Sequence, residues 1–207
     1  MKHALLAAAA LTVAVATAAH AADGEPESPW AFELAAYPTS IRGGDEYTSA
    51  ILAADHGALH LEARYDYEGV GARSAFLGWT WSGGDAFTWE ATPLLGGVWG
   101  DFHAVAPGLQ VALGWRRFDL GIDAEYVHDT HDRDQSYVYA WSELGFQPCK
   151  WLRIGIAGER TRAYGGDREI DRGPFAQWTG GHVTIGATWL NPGASDEVFV
   201  GLVGVSY

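Results

Sequence analysis

The segment from Leu59 to Tyr67 alternates between apolar and ionisable residues along its whole length. Its odd-numbered positions are leucine, alanine or tyrosine. Its even-numbered positions are His60, Glu62, Arg64 and Asp66. Because the side chains of a β-strand point to opposite faces in turn, this pattern predicts a strand with one apolar face and one charged face.

Similar segments follow at intervals of roughly ten residues, separated by turn signals. They predict strands over 30–37, 46–54, 58–67, 73–82, 86–98, 107–114, 118–128, 136–147, 152–163 and 197–206. The stretch 174–190 is either one long strand or two strands broken at Gly180-Gly181. Even strand numbers are typical of single-chain transmembrane barrels, so we expect about 12 strands, with 10 as the alternative. No helical period occurs after residue 21.

The connections between the predicted strands alternate in length. Tight connections lie at 55–57, 83–85, 116–117 and 148–150, and longer or more charged ones at 68–72, 99–106, 129–135 and 164–173. Transmembrane β-barrels place short turns on one side of the membrane and long loops on the other. The fold class predicted from these patterns is all-β: an antiparallel transmembrane up-and-down β-barrel, with lipid outside and polar groups inside.

The amino terminus has the features of a cleaved signal peptide over residues 1–21. Lys2 and His3 precede an apolar run, and Ala19-His20-Ala21 is a small-x-small cleavage site. The run is short for a membrane helix, which needs about 20 apolar residues. We expect export, a flexible lead-in over 22–29 and one barrel domain over 30–207. No later segment predicts a helical span, so membrane insertion must use strands.

The charge balance is strongly acidic. The chain has 13 Lys and Arg against 26 Asp and Glu, and removing the signal peptide with its single Lys2 leaves a net charge of −14. This balance argues against a nucleic-acid partner, whose phosphates require a basic face. Cys149 is the only cysteine, so no intramolecular disulfide can form.

Aromatic residues fall mostly toward the ends of the predicted strands, as the interfacial girdles of membrane barrels require. The tryptophans concerned are Trp81, Trp89, Trp99, Trp141, Trp151, Trp178 and Trp189. The other interpretation of these residues is the aromatic core of a soluble β-sandwich.

The signal peptide and the ending from Val198 to Tyr207, an amphipathic strand with a terminal aromatic residue, carry a resemblance to a known class. The chain resembles the outer-membrane β-barrel proteins of Gram-negative bacteria, and the segment around Leu59–Tyr67 is similar to a group of uncharacterised small barrels. The resemblance implies location in the outer membrane, contact with outer-membrane lipid and lipopolysaccharide, and recognition of the last strand by the barrel-assembly machinery. The last strand departs from the usual pattern of this class, because Val200 and Leu202, on its lumen side, are also apolar.

If the charged faces point inward, acids outnumber bases in the lumen. The expected lumen-lining residues are His60, Glu62, Arg64, Glu90, Asp123, Glu125, Glu143 and Arg153. An unpaired carboxylate in a dry interior is costly and protonates instead. Two interpretations stay open: a hydrated acidic lumen that tolerates cations, or a plugged barrel in which some carboxyl groups hold protons.

The densest polar cluster is the stretch 128–134. Its His128, Asp129 and His131 are candidate ligands of a divalent cation, although their spacing matches no strong motif and a solvated loop is the favoured alternative. No other cofactor is expected, and no residue is assigned a catalytic role.

Three functions are consistent with these features. The first is an integral outer-membrane barrel acting as a small cation-tolerant pore or a structural wall protein. The second is a barrel enzyme that acts on lipid or peptide at the rim; whether the chain is an enzyme stays open, with a non-enzyme favoured. The third is a soluble periplasmic β-barrel that binds a small ligand.

Overall fold

A computed structural model of the chain describes residues 30–163 and 168–207. The predicted signal peptide and lead-in lie outside the described residues. The described residues form thirteen strand segments and one short 3-10 helix at Arg133–Gln135. The segments are β1 (Ala31–Ile41), β2 (Glu46–His56), β3 (Leu59–Tyr65), β4 (Arg73–Trp79), β5 (Trp81–Gly84), β6 (Phe87–Trp99), β7 (Ala104–Trp115), β8 (Phe118–Asp129), β9 (Tyr137–Cys149), β10 (Leu152–Ala163), β11 (Arg168–Gly180), β12 (Val183–Leu190) and β13 (Val198–Ser206). Within these two ranges, no helix is long and apolar enough to cross a membrane.

The strands close into an antiparallel barrel in which sequence neighbours pair. The first and last segments also pair, with Glu33 opposite Ser206. Both β4 and β5 pair with β6, and the register is continuous across Thr80, from Gly78 opposite Leu94 to Trp81 opposite Ala91. The two segments are therefore one barrel strand, and the barrel has 12 strands, which confirms the predicted fold class.

The structure also decides between the alternatives for 174–190 and shows where the predicted strand 30–37 lies. Residues 174–190 do form two strands, because the chain turns at Gly181 and His182 between β11 and β12. Gly181 has a φ of 60°, a conformation that glycine adopts without a steric penalty. Residues 30–37 lie within the sheet as part of β1, which pairs with both β2 and β13.

Two of the predicted long connections are wrong because they were predicted too long. The connection predicted over 99–106 is only 100–103, because β7 begins at Ala104. The connection predicted over 164–173 overlaps β11 from Arg168 onward, and its residues 164–167 lie outside the described residues. The 3-10 helix lies in the connection predicted over 129–135 and was not expected from the sequence.

The two ends of the barrel differ. We call the end that carries the termini of the described barrel and the two-residue turns 57–58, 85–86, 116–117, 150–151 and 181–182 the turn end. The opposite end, the loop end, carries the connections 42–45, 66–72, 100–103, 130–136 and 191–197. This separation follows the predicted alternation of short and long connections.

The exterior is a band of exposed apolar side chains with aromatic residues near both ends. Aliphatic residues occupy the middle, for example Leu144, whose exposed fraction is 55%. Exposed aromatic residues near the turn end are Trp79, Trp81, Phe87, Trp89, Trp115, Phe118, Trp151 and Trp178, and those near the loop end are Tyr65, Trp99, Tyr126, Trp189 and Phe199. Trp141 departs from the predicted girdle, because it is buried inside the barrel and donates a hydrogen bond to Glu143 (3.2 Å).

The interior nearer the loop end is filled with large side chains. Tyr37, Tyr67, Tyr139 and Trp141 are all almost completely buried there. The apolar inner face of the last strand, which departs from the pattern of the resembled class, packs into this core through Val198, Val200 and Leu202. Nearer the turn end, interior-facing side chains such as Glu33 and Arg153 keep part of their surface exposed. The barrel therefore has a packed half and a more accessible half.

Candidate functional site

Arg64 is the centre of a charged cluster inside the barrel. It lies on β3, where the alternation that exposes Ala63 and Tyr65 points Arg64 inward, and its side chain has no exposed surface. Its Nε donates to Glu62 Oε2 (2.6 Å) and its Nη1 donates to Glu125 Oε2 (3.0 Å). The guanidinium also stacks on an aromatic ring, 4.1 Å from the centroid of Phe76. The negative face of the Phe76 ring therefore stabilises the guanidinium in addition to its two charge-assisted hydrogen bonds.

Two further carboxylates complete what we call the Arg64 cluster, which consists of Glu62, Arg64, Glu68, Asp123 and Glu125. The Oε1 of Glu68 lies 3.5 Å from Arg64 Nη1, and the Oδ2 of Asp123 lies 3.9 Å from Arg64 Nη2. The exposed fraction of each of the five side chains is 2% or less. Four carboxyl groups therefore surround one guanidinium in a buried part of the barrel.

Hydrogen bonds satisfy this cluster only in part. The Ser74 hydroxyl donates to Glu68 Oε1 (2.7 Å), and the Tyr67 hydroxyl donates to Asp123 Oδ2 (3.2 Å). Buried atoms of the described residues that have no hydrogen-bond partner include Arg64 Nη2, Glu68 Oε2, Asp123 Oδ1 and Glu125 Oε1. Buried polar atoms are normally paired, so this many in one place identify a polar network that the described residues satisfy incompletely.

His60 extends the charged network toward the turn end. Its Nε2 lies 2.9 Å from Glu62 Oε1, and its Nδ1 lies 2.7 Å from Asp55 Oδ1. A carboxylate faces each ring nitrogen, and carboxylates are acceptors, so this geometry favours the doubly protonated imidazolium. Gln110 also donates to Glu62 Oε1 (2.6 Å), which leaves Glu62 the best satisfied carboxylate of the cluster.

A second charged group surrounds Arg153 on β10, nearer the turn end. Arg153 Nε donates to Asp119 Oδ1 (2.9 Å), and its Nη1 donates to Gln177 Oε1 (3.0 Å) and forms an ion pair with Glu143. The space for this group exists because residue 145 is glycine. A Cβ at Gly145 would lie 2.6 Å from both Arg153 Nε and the Asp119 carboxylate.

The residues predicted to line the lumen fall into three positions. His60, Glu62, Arg64, Asp123 and Glu125 belong to the network around Arg64, and Glu143 and Arg153 belong to the second group. Glu90 is separate: it shares the inner face of β6 with Thr92, but it lies toward the turn end and is exposed. Charge pairing across different strands thus brings together residues that are far apart in sequence.

Sequence reasoning missed Glu68 and placed Tyr67 wrongly. The alternation from Leu59 puts Tyr67 on the lipid face, yet only 1% of Tyr67 is exposed. The reason is Asp66, whose φ of 51° turns the chain and breaks the two-residue period. The connection 66–72 consequently folds inward and brings Tyr67 and Glu68 into the barrel. The local signals of this turn are Asp66, whose carboxylate accepts a hydrogen bond from the Gly71 amide (2.8 Å), and the glycines Gly69 and Gly71.

The candidate metal ligands of the stretch 128–134 have other contacts. Asp129 Oδ1 accepts hydrogen bonds from the backbone amides of His131 (2.7 Å) and Asp132 (2.9 Å), as in an Asx turn. His128 stacks on Tyr126, and His131 packs edge-on against His103. Across residues 30–163 and 168–207, no group of three or more His, Cys, Asp or Glu side chains is arranged to hold a metal ion. A divalent cation at this loop stays a prediction.

The chain has the fold of outer-membrane porins. A KdgM porin superimposes with a TM-score of 0.62 at 10% sequence identity, over 84% of this chain and 98% of that chain. A KdgM porin in complex with disordered oligogalacturonate gives a TM-score of 0.59 at 12% identity, over 84% and 98% of the two chains. OccK8 (OprE) of Pseudomonas aeruginosa gives 0.47 at 10% identity, over 85% and 67%. The sequence matches no protein-family model and no curated protein.

Proposed function

We propose that the chain is an integral outer-membrane barrel that acts as a narrow pore for small cations. The observation that carries this proposal is the excess of carboxylates on the inner face of the strands. Interior-facing acids are Glu33, Asp55, Glu62, Glu90, Asp119, Asp123, Glu125, Glu143 and Glu159, whereas the arginines there are Arg64 and Arg153. A lumen of one charge sign raises the local concentration of ions of the opposite sign.

The exterior supports a membrane location over a soluble ligand-binding barrel. Leu77, Leu95 and Ile156 each expose 57% or more of their surface, within a band flanked by aromatic residues. Soluble proteins rarely expose so large a continuous apolar surface, whereas a lipid-facing barrel requires it. We infer that this band contacts outer-membrane lipid, that the loop end faces lipopolysaccharide, and that the last strand is the segment read during barrel assembly.

The expected solute differs from the oligogalacturonate bound in the KdgM complex. Galacturonate units carry carboxylates, and an interior with excess carboxylates repels them. We therefore infer that this barrel shares the architecture of that porin and admits cations through an acidic interior. The packed half near the loop end makes a low conductance the expected result.

Measurement of ionic currents tests this function. The protein, purified in detergent and inserted into a planar bilayer between two KCl solutions of different concentration, should give small current steps and a reversal potential of the sign set by K⁺. Heat-modifiable gel mobility of the same sample should show that the barrel is folded. A reversal potential of the sign set by Cl⁻, or no current at any pH from a folded sample, would contradict the proposal.

A further inference from the structure

The connection 66–72 differs from the other described loop-end connections because it folds into the barrel. Tyr67, Glu68 and Ala72 are buried, with exposed fractions of 1%, 7% and 0%. Tyr137 on β9 contacts the backbone of this segment, because its hydroxyl donates a hydrogen bond to the Glu68 carbonyl oxygen (2.7 Å). Phe102 covers Gly69, since a Cβ there would lie 3.2 Å from the Phe102 ring. The segment thus occupies space inside the loop-end half of the barrel.

Glu68 meets charged or titratable groups from every element around it. Arg64 lies on β3, and Ser74, which donates to Glu68, lies on β4. Asp123 and Glu125 face it from β8, Tyr137 faces it from β9, and Glu62 adds a further negative charge from β3. Asp101, in the connection 100–103, lies against Gly71. Only one of these groups, Arg64, carries a fixed positive charge.

Four carboxylates cannot all be ionised around one guanidinium when their side chains are 2% exposed or less. Desolvation and mutual repulsion favour the neutral form of the acids that are not paired. Glu68 Oε2, Asp123 Oδ1 and Glu125 Oε1 accept no hydrogen bond from the described residues, so no donor stabilises a negative charge on these oxygens.

We propose that segment 66–72 is a pH-sensitive gate: it stays folded into the barrel while carboxyl groups of the Arg64 cluster hold protons, and it is released when those groups ionise. Glu68 is the part of the cluster that can leave, because it belongs to a connection, whereas Glu62, Asp123 and Glu125 belong to paired strands. The proposal extends the proposed pore function, because release of the segment would open the packed half of the interior.

The direction of the pH dependence follows from Glu68, which lies outside the strands. Burial raises the pKa of its carboxyl group above the ordinary value, although Arg64 and the Ser74 hydroxyl oppose this shift. A raised pKa in the inserted state means that insertion takes up a proton. Insertion is therefore favoured at low pH and loses stability as the pH rises through the raised value.

Thiol labelling of a buried position tests release of the segment without reference to conduction. In a Cys149→Ser background, Ala72→Cys places a thiol at a fully buried site and Val70→Cys places one at an exposed site of the same segment. The reaction rate with a membrane-impermeant maleimide should rise with pH faster for Ala72→Cys than for Val70→Cys. Dividing the rate for Ala72→Cys by the rate for Val70→Cys removes the effect of thiol ionisation, which both variants share. If release of the segment is linked to the loss of one proton, this rate ratio should rise by up to about tenfold per pH unit.

The matched variants are Glu68→Gln, which keeps the shape of the protonated carboxyl, and Glu46→Gln, which changes an exposed glutamate at the loop end. With Glu68→Gln, the ratio of the two labelling rates should stay near its low-pH value at every pH. With Glu46→Gln, the labelling ratio should rise with pH as it does without this substitution. A ratio that does not depend on pH, or a rise that persists with Glu68→Gln, would overturn the gate. Gel mobility at each pH confirms that the barrel itself stays folded.

Hydrogen exchange of the unmodified protein gives the same test if the cysteine variants do not fold. Amide protection in 66–72, corrected for the intrinsic pH dependence of exchange, should fall as the pH rises, while protection in β8 and β9 stays constant. Constant protection in 66–72 would contradict the gate. Bilayer currents separate the two proposals: pH-dependent labelling without any current would leave the gate standing and contradict the pore.

Discussion

At the scale of single residues, Arg64 has the largest expected effect on stability. Among the described residues it is the only arginine or lysine in contact with Glu62, Glu68, Asp123 and Glu125, and all five side chains are buried. Its removal leaves buried carboxyl groups without the positive charge that compensates them. Loss of one partner from a buried ion pair is much more costly than the net contribution of the pair itself.

We therefore expect Arg64→Met to lower the free energy of unfolding at neutral pH by about 3–5 kcal/mol. Denaturant unfolding of the barrel in lipid vesicles, followed by tryptophan fluorescence, measures this change. The control is Arg160→Met, because Arg160 is exposed on the outer face of β10 and should cost less than about 0.5 kcal/mol. Equal losses for the two variants would show that the cluster does not depend on its guanidinium.

At the scale of strands, the two-residue period was sufficient to predict most of the fold. It identified the inner face of β3, because a closed sheet imposes the same alternation on every strand. The break near Gly181 was one of two alternatives, which the expected even number of strands favoured. The two-residue period failed at Asp66, where a local turn reverses the faces. The expectation of an aromatic girdle failed at Trp141, which the alternation itself places on the same inner face as Glu143. Pairing partners such as Arg64 and Glu125 depend on barrel register, which a single sequence does not contain.

The outward face of a strand gives a prediction that depends on depth. Leu144 lies in the middle of β9 and is 55% exposed, whereas Val138 lies at its loop end and is 44% exposed. If β9 crosses a bilayer, Leu144→Arg should cost about 2–4 kcal/mol in unfolding from vesicles, and Val138→Arg about 0–1 kcal/mol. A similar small cost at both positions would mean that hydrocarbon does not surround this strand.

At the scale of the whole molecule, the barrel joins an apolar exterior to an interior with excess carboxylates. The packed loop-end half contains the Arg64 cluster, and the turn-end half keeps Glu33, Glu90 and Arg153 partly exposed. Charges in the dry half are screened little by salt, whereas charges at the accessible end are screened as in solution. Cation preference should therefore arise mainly at the turn end, where ions reach the carboxylates.

The salt dependence of selectivity tests this division of the interior. The Debye length falls from about 10 Å at 0.1 M salt to about 3 Å at 1 M, so the cation preference of the open pore should weaken over this range. Glu90→Gln should reduce the preference at 0.1 M and have little effect at 1 M, whereas Glu46→Gln on the outer face should change neither value. The measurement is the reversal potential across a bilayer with a tenfold ratio of KCl between its two sides. It is made once with the two concentrations centred on about 0.1 M and once with them centred on about 1 M. A preference that does not change with salt, or an equal loss for both variants, would place the selective charges away from the turn end.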